Sequence, residues 1–401
     1  MTTHDRTTSR PRARWRHLAL ALAAVTAATV SLAACGSSSS TSTATASNAA
    51  ATASTTTAAS DGTSSAAAAS ATRFLAPYDT APVTWRGPTT KDPLAKGKHI
   101  VFIDVAPTVP TLQTITTATQ QLASKLGWTV THIDVQNQNF SPAVQQAISL
   151  HPDGILFNFY DVQDDPAAFA QLAASHIPVI AFGLSTDRVN SSNPGLTHIV
   201  NVNYPLQGQL TAAAAALLTK GNAKVGIFTL AGNSEEIDTD NGIATYFKQH
   251  GGGQVVATHY IDMASLFDPT VVGQSAVAFL QAHPSINQLF VIFDGVAAEA
   301  IPALKQAHLS NVQVLSAQGD AYNINLIRTG GGQDGDAVWP YTWATYAAFD
   351  DFNRIFDKLP VPANDGIPVR EFYPADLYSG TGYWDGAYNF QAKYDSLWGI
   401  G

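Results

Sequence analysis

From residue 98 onward, apolar positions follow two alternating periods. His99 to Val105 is a run of apolar and β-branched residues, the mark of a strand buried on both faces. Leu112, Ile115, Ala118, Leu122 and Leu126 then repeat at helical spacing. The pattern predicts strands over 128–135, 154–159, 177–182 and 198–203, with helices over 141–150, 166–175 and 206–219 between and after them. It then restarts, with strands over 224–230, 254–260, 288–293, 312–315 and 337–338. Helices over 236–249, 296–307, 320–328 and 343–358 separate or follow these. Asp268-Pro269 places a cap and a first-turn proline in the right order for one further helix start. Strands alternating with helices predict parallel sheets with right-handed crossovers. Two such runs predict an α/β chain of two Rossmann-like lobes joined by a hinge. The first lobe spans 98–203 and the second 204–338, with a helix over 205–220 near the crossover. A return helix and an aromatic extension follow over 339–401. Loops at the carboxyl ends of the strands then face a cleft that closes by hinge motion.

Residues before 98 read differently. Arg6, Arg10, Arg12, Arg14 and Arg16 precede the apolar stretch Leu18 to Ala34, which ends in small residues before Cys35. A charged head, a short apolar segment and a small-residue end make a secretory signal over 1–35, the stretch being short for a membrane span. Residues 36–72 are almost wholly Ser, Thr, Ala, Gly and Asn, with Asp61 the single charge. That composition predicts a flexible tether, since little in it offsets the entropy of ordering; an alanine-rich helix is the competing reading. Residues 73–97 hold four prolines and predict an irregular arm. From Phe372 to Trp398 the chain carries nine aromatics, a load expected in a strap packed on the lobes, with a docking surface or lid as the alternative.

Charge narrows the function. Of 21 basic and 30 acidic residues, five arginines and one aspartate lie in residues 1–34, so the remainder is strongly acidic and offers a nucleic-acid partner no basic face. One cysteine excludes an internal disulfide framework and a thiolate metal cluster. There is no phosphate-cradling GxxxxGK[ST], no GxGxxG after a strand, no GxSxG elbow and no HExxH. The 11 histidines form no close metal-ligand pair in sequence. Asp238-Thr-Asp240-Asn241-Gly242 has a misplaced glycine and no closing glutamate for a calcium loop, so a polar helix segment is expected there. Neither an enzyme, a cofactor nor a metal is indicated.

Several segments resemble the ribose- and galactose-type sugar-binding proteins, the type I solute-binding components of ABC importers. They are Lys125-Leu-Gly127, Asp134-Val-Gln-Asn137, Asp153-Gly-Ile-Leu-Phe-Asn158, Ile177-Pro-Val-Ile180, Asn203-Tyr204 and His283-Pro-Ser-Ile-Asn-Gln-Leu-Phe290. Their order and spacing cover roughly 98–358. The ending Leu32-Ala-Ala-Cys35 resembles the bacterial lipobox, which makes Cys35 the expected lipidated residue. The resemblance implies an exported, lipid-anchored monomer on the outer face of the cytoplasmic membrane. It would capture a small molecule, most simply a carbohydrate or polyol, and deliver it to an ABC permease. A ligand-sensing receptor partner, an importer component for a nucleoside or small aromatic compound, and an exported enzyme remain the alternatives.

The same resemblance points to the pocket and shows it altered. The family's Asn-Pro-Phe-Phe falls on Val109-Pro110-Thr111-Leu112, and its Asp-Arg on Gly183-Leu184. Its second-lobe arginine falls near Asn241, its His-Asn-Asp on Ile292-Phe293-Asp294, and its Phe-Asp-Gly on Ala317-Gln318-Gly319. Its last glutamine falls near Trp339 or Pro340. Thr111, Gly183, Asn241, Phe293, Asp294, Gln318 and Trp339 are therefore the implied ligand positions. Asn137, Asn158, Tyr160, Asn233 and Tyr341 join them as polar or aromatic residues at strand ends. Loop hydrogen bonding is the alternative for Asn137, Asn158 and Tyr160, helix capping for Asn233 and hinge packing for Tyr341. Glu235 and Glu236 are expected to compensate the helix dipole, and Asp320 to cap a helix. Arginine and other strong polar partners are replaced by aromatics, so a ligand less polar than ribose is expected.

Overall fold

In this computed structural model the described residues are 54–79, 84–136, 139–189, 194–266, 268–386 and 388–400. The expected signal and Cys35 therefore lie outside the described residues, as does Asn137. The first sheet has the order β2-β1-β3-β4-β5, all parallel. Its strands are β1 (His99–Asp104), β2 (Thr129–Asp134), β3 (Gly154–Asn158), β4 (Val179–Phe182) and β5 (His198–Ile199). Helices α2 (Pro110–Leu126), α3 (Phe140–Ser149) and α4 (Pro166–Ser175) connect them. The second sheet has the order β11-β10-β9-β8-β6-β7. It holds β6 (Ala223–Leu230), β7 (Gly253–Ile261), β8 (Gln288–Val291), β9 (Gln313–Ala317), β10 (Gly335–Val338) and β11 (Arg370–Phe372). Its helices are α5 (Tyr204–Leu218), α6 (Ser234–His250), the short α7 (Met263–Leu266), α8 (Pro269–Ala282), α9 (Asp294–Gln306) and α10 (Ala321–Thr329). This is the two-lobed α/β architecture that the alternation implies. Strands such as β3 and β4, with every residue buried, are those whose sequences run apolar without alternation.

Local chemistry sets the helix starts. Asp268 accepts from the backbone N–H groups of Thr270 and Val271, and Asp165 from that of Ala168, each ahead of a proline in the first turn. Asn203 caps α5 in the same way. The chain crosses to the second lobe after β5 and returns through Trp339-Pro340 into α11 (Tyr341–Phe356), which packs on α2 and β4. One apolar core runs from the inner face of the first sheet through α11 to α5 and α6, so the hinge is itself buried.

One segment departs from expectation. Residues 54–79, placed in the tether and arm, form helix α1, which packs on α5, α6 and β11 with Ala71 and Leu75 fully buried. A face this narrow leaves almost no amphipathic signal. The extension after α11 adds β11, antiparallel to β10 at the sheet edge, and α12 (Phe390–Trp398) against α11. Trp343 of α11 stacks between Trp85 and Phe390, with centroid distances of 5.7 and 5.0 Å. Trp398 donates its indole N–H to Asp350 at 2.8 Å. The arm is tied in as well: the backbone N–H groups of Asp92 and Leu94 donate to Leu397 and Trp398 carbonyls.

Candidate functional site

The carboxyl ends of the two sheets face one another, and direct hydrogen bonds join the lobes across the cleft. The Thr111 hydroxyl donates to Asp320, and the Gln163 amide to the Gly232 carbonyl. The Ser234 N–H donates to Asp161 at 3.2 Å, and the Ser185 N–H to the Ser234 hydroxyl at 3.0 Å. Asp320 stands at the N-cap position of α10, but its side chain makes no capping bond. Its carboxylate instead takes the Thr111 hydroxyl, so the expected cap is a bridge between lobes.

Two adjoining cavities remain inside this closed cleft. The outer one, of about 200 Å³, is mainly apolar, with Val105, Val109, Leu112, Met263, Leu266 and Val296 among its walls. The inner one, of about 30 Å³, is lined by Tyr204, Gln207, Glu235, Glu236, Trp339 and Tyr341, with Thr239 and Phe290 beside them. Phe159, Phe293 and Gln318 line both.

Helix packing builds the inner wall. A Cβ on Gly208 would lie 1.9 Å from the Thr239 carbonyl oxygen, and one on Gly242 would lie 2.3 Å from that of Pro205. Only glycine at both positions lets α5 and α6 approach this closely. The approach sets Glu235, Glu236 and Thr239 of α6 against Tyr204 and Gln207 of α5. The opposite wall comes from the return segment. Trp339 and Tyr341 stand with ring centroids 4.0 Å apart. The Tyr383 hydroxyl fixes their backbone, donating to the Trp339 carbonyl and accepting from the Tyr341 N–H at 3.2 Å. Replacing Tyr383 by Phe is expected to cost about 1–2 kcal/mol, because the buried Trp339 carbonyl loses its donor. Denaturant unfolding of the variant reads this directly, and an unchanged midpoint would show that the hydroxyl holds nothing.

The cleft is acidic and under-satisfied. Burial pushes the Glu236 carboxyl up to about 8, and burial beside Glu236 raises Glu235 well above the usual carboxylate range. By hydrogen-bond geometry both Glu236 oxygens are buried without a partner. So are one oxygen each of Glu235, Gln207 and Gln318 and the hydroxyl of Tyr341. Glu235 and Glu236 lie side by side, with the Tyr204 hydroxyl next to Glu235. Unpaired buried polar atoms each cost about 1–3 kcal/mol unless something meets them.

The expected ligand positions separate into three groups. Trp339 and Tyr341 line the inner cavity, Tyr160 and Asn233 the outer one, and Phe293 and Gln318 both. Four others lie behind the walls. Thr111 is 1% exposed and spent on the lobe bridge. Asn158 is fully buried, accepting from the Val105 N–H at 2.9 Å and donating to Asp104 at 3.0 Å, so it ties strand ends together. Asp294 is fully buried beneath the floor, accepting from the Ser316 hydroxyl and the Asp320 N–H. Gly183, at φ +69°, would put a Cβ 2.2 Å from the Phe159 ring; it seats Phe159 and does not itself face the ligand space. Asn241 is exposed on the outer side of α6, its position turned away from the face that carries Glu236 and Thr239. The glutamates, expected only to balance the helix dipole, take the place that Asn241 was to fill.

Gln318 holds φ at +123°, a conformation side chains rarely adopt, and its amide oxygen is unpaired between the cavities. Strain of this kind costs about 1–3 kcal/mol and gathers at functional positions. Gln318→Gly is expected to stabilise the ligand-free protein by about 1 kcal/mol, after the entropic cost of glycine, while weakening ligand binding. A melt showing destabilisation instead would remove the strain argument.

Two His and Asp groups lie within metal-binding reach, Asp104–His132–Asp134 and His198–Asp351–Asp365. Asp104 and Asp134 raise the pKa of His132 by hydrogen bonding and charge, and the two carboxylates lie 3.6 and 3.3 Å from it. That cluster is an ion-pair network at the carboxyl ends of β1 and β2, next in the chain to the outer-cavity residues Val105 and Val135.

Residues 108–358 match the family described as the periplasmic binding protein domain. The chain belongs to that family. No curated protein sequence matches this periplasmic binding protein. Its fold is shared by solved structures at low identity. A glucose-galactose binding protein from Geobacillus stearothermophilus has 18% identity and a TM-score of 0.61, over 71% of this chain and 99% of that one. An ABC transporter solute binding protein from Mycobacterium smegmatis with bound glycerol has 18% and 0.61, over 72% and 99%. A periplasmic solute binding protein from Actinobacillus succinogenes with bound D-allose has 17% and 0.60, over 70% and 98%. The type I periplasmic binding protein fold follows, and the family is one of binding proteins. No helix among the described residues is long and apolar enough to cross a membrane.

Proposed function

We propose that this protein is an extracytoplasmic solute-binding lipoprotein, held to the membrane through Cys35. It captures a small carbohydrate or polyol between its lobes and delivers it to an ABC permease. One observation carries the reading: between two latched lobes lie two adjoining cavities, with aromatic walls and buried polar atoms that lack partners, the larger of them about 200 Å³. Aromatic faces suit the C–H face of a sugar ring, and the unpaired oxygens suit its hydroxyls. Lobe closure then reports occupancy to a permease without any covalent step. The neighbours with bound D-allose and glycerol support the same ligand class. The apolar outer cavity favours a second reading, in which the ligand is a less hydroxylated or planar compound.

A thermal melt of residues 54–401 against pentoses, hexoses, polyols, nucleosides and small aromatic compounds tests both. At a hundred times its dissociation constant a ligand adds about 2.7 kcal/mol, a shift of several degrees. Stabilisation by sugars or polyols supports the first reading. Stabilisation by planar compounds alone replaces it with the second, and silence across the panel overturns both.

A further inference from the structure

The inner cavity buries two carboxyls to which a neutral sugar offers no counter-charge. Glu235 and Glu236 are each only 5% exposed, and both line it. Neither cavity has a lysine, arginine or histidine among its described lining residues. The nearby Arg188 is already engaged, its guanidinium 3.3 Å from Asp161. Hydroxyl-binding sites usually offset buried carboxylates with arginine or amide donors; here the only amides of the inner lining are Gln207 and Gln318, whose oxygens are buried without a partner. The orphaned groups of the cavity are the two carboxyls, the two amide oxygens and the hydroxyls of Tyr204 and Tyr341, and no cation stands among them. The remaining wall is aromatic: Trp339, Tyr341, Tyr204, Phe159 and Phe293. Ring faces attract cations most strongly where water is excluded. At about 30 Å³ the chamber has room for about two water molecules, the scale of an ammonium or methylammonium head and too small for a sugar ring. The larger apolar cavity that adjoins it through Phe293 and Gln318 accommodates the rest of such a molecule.

We propose that the ligand carries a protonated amine, seated in the inner cavity between Glu235, Glu236 and the aromatic faces, with its less polar body in the outer cavity. Within the solute-binding reading, on which this rests, that makes the expected solute an amino sugar or a similar small organic amine. Two buried carboxyls with no base beside them select it over the matching alcohol, since an ammonium brings three donors and a charge where a hydroxyl brings one donor.

The test uses two matched pairs at pH 7 on residues 54–401: D-glucosamine against D-glucose, and phenethylamine against 2-phenylethanol. Calorimetric affinities are expected to favour the amine of at least one pair by tenfold or more. Glu236→Gln and Glu235→Gln are each expected to lower that amine's affinity at least tenfold, and by a larger factor than they lower the neutral partner's. Circular dichroism and melting of both variants guard against loss of fold, and two variants keep the test open if one fails to fold. Neutral members binding as well as their amines, or amine binding indifferent to both substitutions, overturns the proposal and leaves solute binding standing. Silence from all four probes together with the wider panel removes the solute-binding reading and this proposal with it.

Discussion

Trp343→Ala is expected to destabilise the protein by about 3–5 kcal/mol, the range for removing a large aromatic from a packed core. Trp343 is 1% exposed and lies in the first turn of α11. It stacks on Trp85, their planes 3° apart, and on Phe390, at 15°. Those partners come from the arm before the first lobe and from the C-terminal extension, so one side chain holds three distant segments. Its loss leaves a cavity that none of the three can fill without giving up other contacts. The Trp398 N–H bond to Asp350 would weaken with it, and Asp350 also holds the buried Arg354 at 2.6 Å. Guanidinium unfolding with an unchanged slope measures the loss. Tyr322→Ala is the control: Tyr322 is 61% exposed, and its removal is expected to stay within about 0.5 kcal/mol. A loss below about 1 kcal/mol for Trp343→Ala would mean that the extension is a loose appendage and not part of the hinge core.

That cluster also shows which parts of the fold can be read from a sequence. The strands of both lobes are legible because a parallel strand buried on both faces must be apolar throughout, and β1, β3 and β4 are. The aromatic load after Phe372 is legible as material to be buried, but not its address, since Trp85 and Phe390 are far apart in the chain. Helix α1 is hidden by its composition: alanine, serine and threonine give no stripe, and burial rests on a few positions such as Ala71 and Leu75. In the cleft, aromatics at strand ends such as Phe293 and Trp339 stand out because strand ends face the other lobe. The glutamates do not. An acidic first turn is the ordinary complement to a helix dipole. What turns Glu235 and Glu236 into cavity walls is the close crossing of α5 and α6 at Gly208 and Gly242, a tertiary fact. Asn241 fails for the same reason, since a helix rotates about 100° per residue and a small error in alignment moves a side chain from cleft to solvent.

Ligand-free protein is expected to lose stability as pH rises from 6.5 to 8. The Glu236 carboxyl is pushed up to about 8 by burial, against an ordinary value of 4.5. Asp240, Asp164 and Glu235 face it, and no base among the described cavity residues does. Between those two pH values the folded chain holds a proton that the unfolded chain has released. The contribution is complete below 4.5, falls by about 1.4 kcal/mol per pH unit above it, and is exhausted as pH passes 8. Asp240 and Asp294, each raised to about 7 by burial, add to the fall in its lower part. His198 acts in the opposite sense: burial lowers it to about 4, so its contribution is complete above 6.5 and is lost as pH falls towards 4. Above 6.5 the carboxylates are unopposed, and Glu236 alone is expected to cost about 2 kcal/mol by pH 8, a drop of several degrees in melting temperature. Parallel melts of wild type and Glu236→Gln isolate the term. The variant is expected to show a shallower decline and a higher melting temperature at pH 8, and identical slopes would sink the assignment. The same substitution is expected to weaken amine binding. A side chain whose removal stabilises the empty protein at pH 8 and impairs the loaded one is kept for its ligand, because the carboxyl that destabilises the closed cleft once ionised is the one that a cationic ligand pairs.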